Sequence, residues 1–158
     1  MTSPLIKVEN LTLQFKTDEG LITAVNDVSF EVAPGEIMGL VGESGSGKSV
    51  TAKSLMKLNP GNAVYSPESR ITLTTDGESV EVLSLKTSRE LKVVRGGAIS
   101  MIFQEPMASF APAITVGDQM VEQLLLHTDM NKEKAKNFSI EMLERVGISD
   151  APDRFKQY

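Results

Sequence analysis

The sequence predicts an α/β protein built around a phosphate-binding loop, with an antiparallel β-subdomain on its amino side and a helical segment on its carboxyl side. Three observations carry this expectation. Residues 42–49 read GESGSGKS, which fits the pattern G-x-x-x-x-G-K-[ST]. Two apolar runs, 37–41 and 98–103, are nearly continuous, whereas several others alternate with polar residues. From residue 115 onward the apolar positions fall at helical spacing.

The alternating segments come first along the chain. Residues 5–8, 11–15 and 28–32 read as strands, and 71–75 and 80–85 read as two more. Asp18-Glu19-Gly20 and Asp76-Gly77 lie between them as turn signals, so antiparallel hairpins are expected. The continuous runs 37–41 and 98–103 instead suit parallel strands covered on both faces. Residues 50–58, VTAKSLMKL, read as the helix after the loop. A further helix starts at Thr115, with Asp118 completing a capping box, and carries Val116, Met120, Val121, Leu124 and Leu125. Asn131 caps the next, whose stripe is Ala135, Phe138, Met142, Leu143 and Val146, with Gly147 as its stop. His127, the single histidine, reads as an exposed residue near a helix end.

The loop carries the chemistry. Nucleotide phosphates hold several negative charges and need backbone N–H groups pointing inward from a loop that side chains do not obstruct. Gly42, Gly45 and Gly47 allow that backbone, which feeds the positive end of the following helix. Lys48 then reaches the β- and γ-phosphates, and the Ser49 hydroxyl can ligate the Mg²⁺ that bridges them. Chance would produce the pattern in such a chain on the order of one time in a hundred, before its context is counted.

Composition narrows the classes. The 158 residues suit one domain, and 41% apolar content suits a globular chain with a core. A formal charge of −5 with scattered basic residues makes nucleic acid a poor partner. No stretch approaches the roughly 20 apolar residues that cross a bilayer, and the amino end lacks a signal-peptide pattern, so a cytoplasmic location is expected. The absence of cysteine excludes disulfides and thiolate metal sites within these residues.

A second constellation, RGGAISMIFQEPMASFAP at 95–112, ends an apolar run in Gln104 followed by Glu105-Pro106. Together with VGESGSGKSVTAKSLM and the approach AVNDVSFEVAPGE, it resembles the ATP-binding subunit of ABC transporters, above all that of oligopeptide, dipeptide and nickel importers. The resemblance implies an ABC ATPase core, here incomplete, spanning 1–158. Within it, 1–35 and 62–86 are mainly antiparallel β, 36–60 and 87–106 the phosphate-loop core, and 107–158 the helical segment. It implies ATP and Mg²⁺ as cofactors and a peripheral place on the cytoplasmic face of the membrane. As partners it implies transmembrane permease subunits, a second ATP-binding subunit and, indirectly, an extracytoplasmic solute-binding protein.

The same resemblance assigns residues. Gly42, Ser44, Gly45, Ser46, Gly47, Lys48, Ser49 and Val50 fall on the nucleotide-binding positions, Val50 through its backbone N–H alone. Phe15 falls where the family stacks a ring on adenine, although Leu11, Leu13 and Phe15 also alternate as the apolar face of a strand. Gln104 falls at the Q-loop glutamine, beside Mg²⁺ and the attacking water, in a loop that meets the membrane partner. Lys48 and Gln104 are thus the catalytic candidates, and Ser49 and Gln104 the metal candidates. Glu105 is not taken as the base, because the family's catalytic glutamate belongs to a later strand.

The chain also departs from the family. Ala111 stands where the family often has asparagine, in the loop facing the membrane partner. The signature segment, the Asp-Glu strand and the switch histidine are absent from these residues, and two apolar strands are left without the strand that would lie between them. The 158 residues alone are therefore expected not to hydrolyse ATP. The alternatives are a non-hydrolysing nucleotide-binding module and a non-transport ABC ATPase.

Overall fold

The computed structural model describes residues 4–75, 77–104 and 110–158, which form two compact units, Met1–Ile99 and Ser100–Tyr158.

The first unit is organised by a long hairpin, β1 (Ile6–Thr17) and β2 (Gly20–Val32), closed where the Thr17 hydroxyl donates to the Gly20 carbonyl at 2.8 Å. Strands β3 (Ala63–Tyr65), β4 (Arg70–Thr75) and β5 (Glu78–Glu81) complete an antiparallel sheet of order β2-β1-β4-β5, with β3 also pairing with β1. The segments 5–8 and 11–15, expected as separate strands, form one strand through a bulge. Asn10 and Asp27 face this irregularity with φ of 49° and 50°, angles that short polar side chains tolerate. Their N–H groups donate to Ser29 Oγ at 2.8 Å and to Thr12 Oγ1 at 2.9 Å, so the hydroxyls replace the lost ladder partners. The extra residue turns the pleat, and Val8, Leu11 and Leu13 all reach the core although 8 and 11 are three apart.

That core joins Val8, Leu11 and Leu13 to Val25, Ile71, Leu73, Val82 and Val94. The run 80–85 is strand only as far as Glu81. The chain then makes a single 3-10 turn, Val82–Ser84, which drops Val82 into the core, while Glu81 Oε1 accepts from the N–H groups of Ile71 (3.0 Å) and Leu83 (3.2 Å). Helix α1 (Lys48–Ser54) follows the phosphate loop, and α2 (Ser88–Leu91), not anticipated from the sequence, is a short turn with a full capping box. Glu90 Oε2 accepts from the N–H groups of Thr87 (2.9 Å) and Lys86 (2.7 Å), and these bonds hold the Glu90 carboxyl below the usual carboxylate range.

The expectation of two buried parallel strands is corrected. Residues 37–41 form no ladder, with Ile37 98% and Val41 93% exposed, and 98–103 is reduced to one parallel bridge, Arg95↔Ile99, with Ile102 96% exposed. A parallel strand needs a neighbour for its N–H and C=O groups, and no described segment supplies one to either run.

In the second unit, α3 (Val116–His127) and α4 (Lys132–Arg145) are capped at Thr115 and Asn131, but the expected capping box of α3 is only half formed, because the Asp118 carboxylate accepts from the Thr115 hydroxyl at 2.7 Å. Thr115 accepts from the Asp118 N–H at 3.1 Å and Asn131 from the Lys134 N–H at 2.9 Å. Gly147, at φ 84°, ends α4, and the Ile148 N–H returns to the Leu143 carbonyl at 3.0 Å. The packed face differs from the expected stripe. Ala135 and Ser139 are buried, Ile140 and Leu143 pack beside them, and Val146 is 74% exposed. The Ser139 hydroxyl is satisfied within its own helix by the Ala135 carbonyl at 2.8 Å, so a polar residue sits inside without loss.

The short helix α5 (Ala151–Arg154) brings Phe155 onto Val121 and Ala135. The carbonyls of Phe155 and Gln157 accept from the N–H groups of Gly117 and Val116, each at 2.8 Å, and so cap the start of α3. Only glycine fits at 117, because a Cβ there would stand 2.3 Å from the Phe155 ring. Among the described residues no helix is long and apolar enough to cross a membrane.

Candidate functional site

The loop of residues 42–47 leads directly into α1, whose first residue is Lys48. It is entered from the unpaired run 37–41 rather than from a strand. Gly47 is the N-cap of α1 at φ 89°, and a Cβ there would lie 2.5 Å from the Ala24 carbonyl of β2. The loop therefore passes against the β2 backbone with no room for a side chain. The helix begins with the Thr51 N–H donating to the Gly47 carbonyl at 2.8 Å, and Thr51 is buried behind it.

Lys48 folds back over the loop. Its ammonium donates to the Gly42 carbonyl at 2.7 Å and to the Glu43 carbonyl at 2.6 Å, with Ser46 Oγ at 3.5 Å. These acceptors are neutral. An anionic phosphate oxygen is a stronger acceptor than either carbonyl, so this cation can be transferred to an incoming phosphate without breaking an ion pair. A cleft of about 350 Å³ opens beside it, lined by Thr23, Ala24 and Val25 of β2 and by Gly45, Ser46 and Lys48 of the loop.

The structure gathers Gly42, Ser44, Gly45, Ser46, Gly47, Lys48 and Ser49 into one continuous loop and helix start. Ser49 is exposed there, and Val50 packs partly against the core. Phe15 lies on β1 opposite Ile22 and Ala63, is half-buried against the core cluster and does not line the cleft. Gln104 is exposed and belongs to the second unit. Glu105 lies outside the described residues, and His127 is the last residue of α3. The cleft wall from β2 was not anticipated. Its one signal in the sequence is the glycine at 47, which marks a close backbone approach without naming the partner.

The family model described as ABC transporter matches residues 25–158. This chain belongs to the ABC transporter family. The match takes in the loop, α1, Gln104 and the whole second unit, and leaves out β1 with Phe15. Among curated relatives of this ABC transporter chain, a protein of Brucella abortus is 44% identical over 157 residues, 99% of this chain and 46% of that protein. The dipeptide transport ATP-binding protein of Bacillus subtilis is 42% identical, and the oligopeptide transport ATP-binding protein of Salmonella typhimurium 44% identical, each over 98% of this chain and 44% of the relative. The chain thus spans less than half the length of the curated relatives it matches. Of solved structures, a dimeric ATP-binding cassette in a post-hydrolysis state with ADP and Pi superimposes with a TM-score of 0.72 at 22% identity, covering 97% of this chain and 60% of that one. A dimeric bacterial ABC transporter cassette gives 0.73 at 23% identity over the same shares. These likenesses establish an ABC cassette fold even though the run before the loop forms no ladder.

Proposed function

We propose that the chain is part of an ATP-binding subunit that energises import of peptides or similar small solutes through an ABC transporter. The observation that carries this reading is the Lys48 ammonium, held within the loop by the neutral oxygens of Gly42, Glu43 and Ser46 and so available to a phosphate. The names of the Bacillus and Salmonella relatives support the peptide class of cargo.

The residues divide the work. Backbone N–H groups of Gly42, Ser44, Gly45, Ser46, Gly47 and Val50 surround the phosphates, and Lys48 neutralises the β- and γ-oxygens. The Ser49 hydroxyl, exposed at the start of α1, is a hard oxygen donor suited to Mg²⁺. ATP with Mg²⁺ supplies the γ-phosphoryl group whose transfer to water powers import. On the family resemblance, Phe15, half-buried on β1 and outside the phosphate cleft, takes the adenine ring, and Gln104 serves the metal, the attacking water and the contact with the permease. The partners are permease subunits and a second ATP-binding subunit at the cytoplasmic face of the membrane, with a solute-binding protein acting indirectly. The dimeric state of the similar cassettes supports the second subunit.

The 158 residues by themselves bind without turnover in this reading. Among the described residues the cleft is lined by no carboxylate or imidazole that could activate water. A phosphate-release assay on the purified chain tests this, and steady release above a Lys48→Ala control contradicts it. The assembled transporter tests the rest. Gln104→Ala should leave ATP affinity within a few-fold while peptide-stimulated hydrolysis falls, and a loss of binding as large as that of Lys48→Ala would remove Gln104 from its role.

A further inference from the structure

Helix α1 has little of its own to hold its first turn in place. It is seven residues long, and its N-cap, Gly47, has no side chain with which to cap it. A helix this short is marginal on its own ladder, so its placement comes from contacts outside it. The chain leaving α1 supplies them. Lys57, at φ 51°, sits in the left-handed region, with its N–H returning to the Ser54 carbonyl at 3.0 Å and the Leu58 N–H to the Lys53 carbonyl at 2.9 Å. This closing motif folds the chain back along the helix, and Pro60 biases Asn59 away from helical geometry.

Asn59 is thereby brought against residues 50 and 54. Its Nδ2, on a half-buried side chain, lies 2.8 Å from Ser54 Oγ, 3.0 Å from the Tyr65 hydroxyl and 3.2 Å from the Val50 carbonyl. Its Oδ1, also buried, takes no donor from any described residue, so the amide is oriented by what Nδ2 donates to. Ser54 is fully buried and donates its one hydroxyl hydrogen to the Val50 carbonyl at 2.8 Å. The Val50 carbonyl is therefore held twice, once by the amide directly and once through the Ser54 hydroxyl, whose oxygen accepts from the same amide. Val50 is the residue whose backbone N–H falls on a nucleotide-binding position. Its N–H and C=O share one Cα, so anchoring the oxygen limits how far the N–H can turn.

We propose that Asn59, acting with Ser54, is a positioning residue for the nucleotide, fixing Val50 so that the amides at the start of α1 meet the phosphates. Neither side chain lines the cleft, and the proposal rests on the ATP reading above. Tyr65 separates this role from general support of the scaffold. It joins the same network from β3, through Asn59 and at 3.5 Å from Ser54 Oγ, without bonding to Val50.

The test is titration of fluorescent ATP and ADP analogues, with Mg²⁺, into the full-length protein and its variants, with urea midpoints measured alongside. Asn59→Leu keeps the approximate shape and removes the donor. It should weaken binding by about 3- to 10-fold, the range of one lost hydrogen bond. The loss should be the same for ATP and ADP, because both carry the α- and β-phosphates that loop amides cradle. Tyr65→Phe should lower the urea midpoint while holding affinity within about twofold. Ser54→Ala, which removes only the hydroxyl, gives the same reading as Asn59→Leu should that variant fail to fold. Wild-type affinity in the folded variant, an equal loss in Tyr65→Phe, or a loss confined to ATP overturns the anchor alone. Failure of the wild-type protein to bind ATP overturns the functional reading, and the anchor with it.

Discussion

Replacing Gly47 by alanine should cripple nucleotide binding, and the structure separates two reasons. At φ 89° an L-residue is strained by about 1–2 kcal/mol. In the free protein the loop relaxes out of that conformation, and the strain returns as a cost when phosphates require it. The second reason is contact. The added Cβ would lie 2.5 Å from the Ala24 carbonyl, against a usual carbon–oxygen approach of roughly 3.3 Å, so the loop must withdraw from β2 by nearly 1 Å. A misplacement of that size at a reacting group costs about a hundredfold in rate. Gly45 is the internal control, with φ 80° and nothing within 4 Å of its Cβ position, so Gly45→Ala carries the strain without the collision. Gly45→Ala should weaken binding by about tenfold, the equivalent of ~1.4 kcal/mol of strain. Gly47→Ala should be at least about tenfold weaker again, with hydrolysis by the full-length protein reduced about a hundredfold. Fluorescent-nucleotide titration and phosphate release measure both. Equal affinities for the two variants would refute the claim that the loop is held against β2.

Two further outcomes concern the scaffold. Gly117→Ala pushes a methyl into the Phe155 ring at 2.3 Å, and overpacking of this kind should lower stability by about 1–3 kcal/mol. The urea midpoint reports it, and an unchanged midpoint would contradict the docking of Phe155 on α3. Glu90 has its carboxyl held below the ordinary range first by the Thr87 N–H and then by that of Lys86, so its stabilising contribution is present above the unfolded-state value near ~4.3 and is lost as pH falls through the folded value. The gap in unfolding midpoint between wild type and Glu90→Gln should therefore narrow on acidification below that range, and a gap that widens would reverse the sign.

What could be read from the chain was the chemistry confined to neighbouring residues. The loop at 42–49 and the caps at Thr115, Asn131 and Gly147 depend on residues within a turn of one another, and each is found where expected. The bulge in β1 was hidden because the bonds that satisfy it, Asn10 N–H to Ser29 Oγ and Asp27 N–H to Thr12 Oγ1, cross the hairpin and join residues that no local pattern pairs. Residues 37–41 show the same limit from the other side. Their apolar composition states a preference for burial, but a ladder needs a neighbour, and composition does not contain one. Lys48 could be assigned to phosphates from its place in the motif, while its resting contacts to Gly42 and Glu43 are a product of the folded loop. The capping of α3 by the carbonyls of Phe155 and Gln157 joins residues some forty positions apart, beyond the reach of any local pattern.

The central claim is that the loop holds nucleotide phosphates through the Lys48 ammonium. Its most direct measurement is titration of a fluorescent ATP analogue, with Mg²⁺, into the full-length protein and its Lys48→Ala variant. Removing the cation while leaving the loop amides in place discards a charge-assisted bond of about 1.5–3 kcal/mol, so affinity should fall by roughly 10- to 100-fold and hydrolysis should disappear. Affinity unchanged in the folded variant would show that the ammonium does not meet the phosphates, and the account of this site would be wrong.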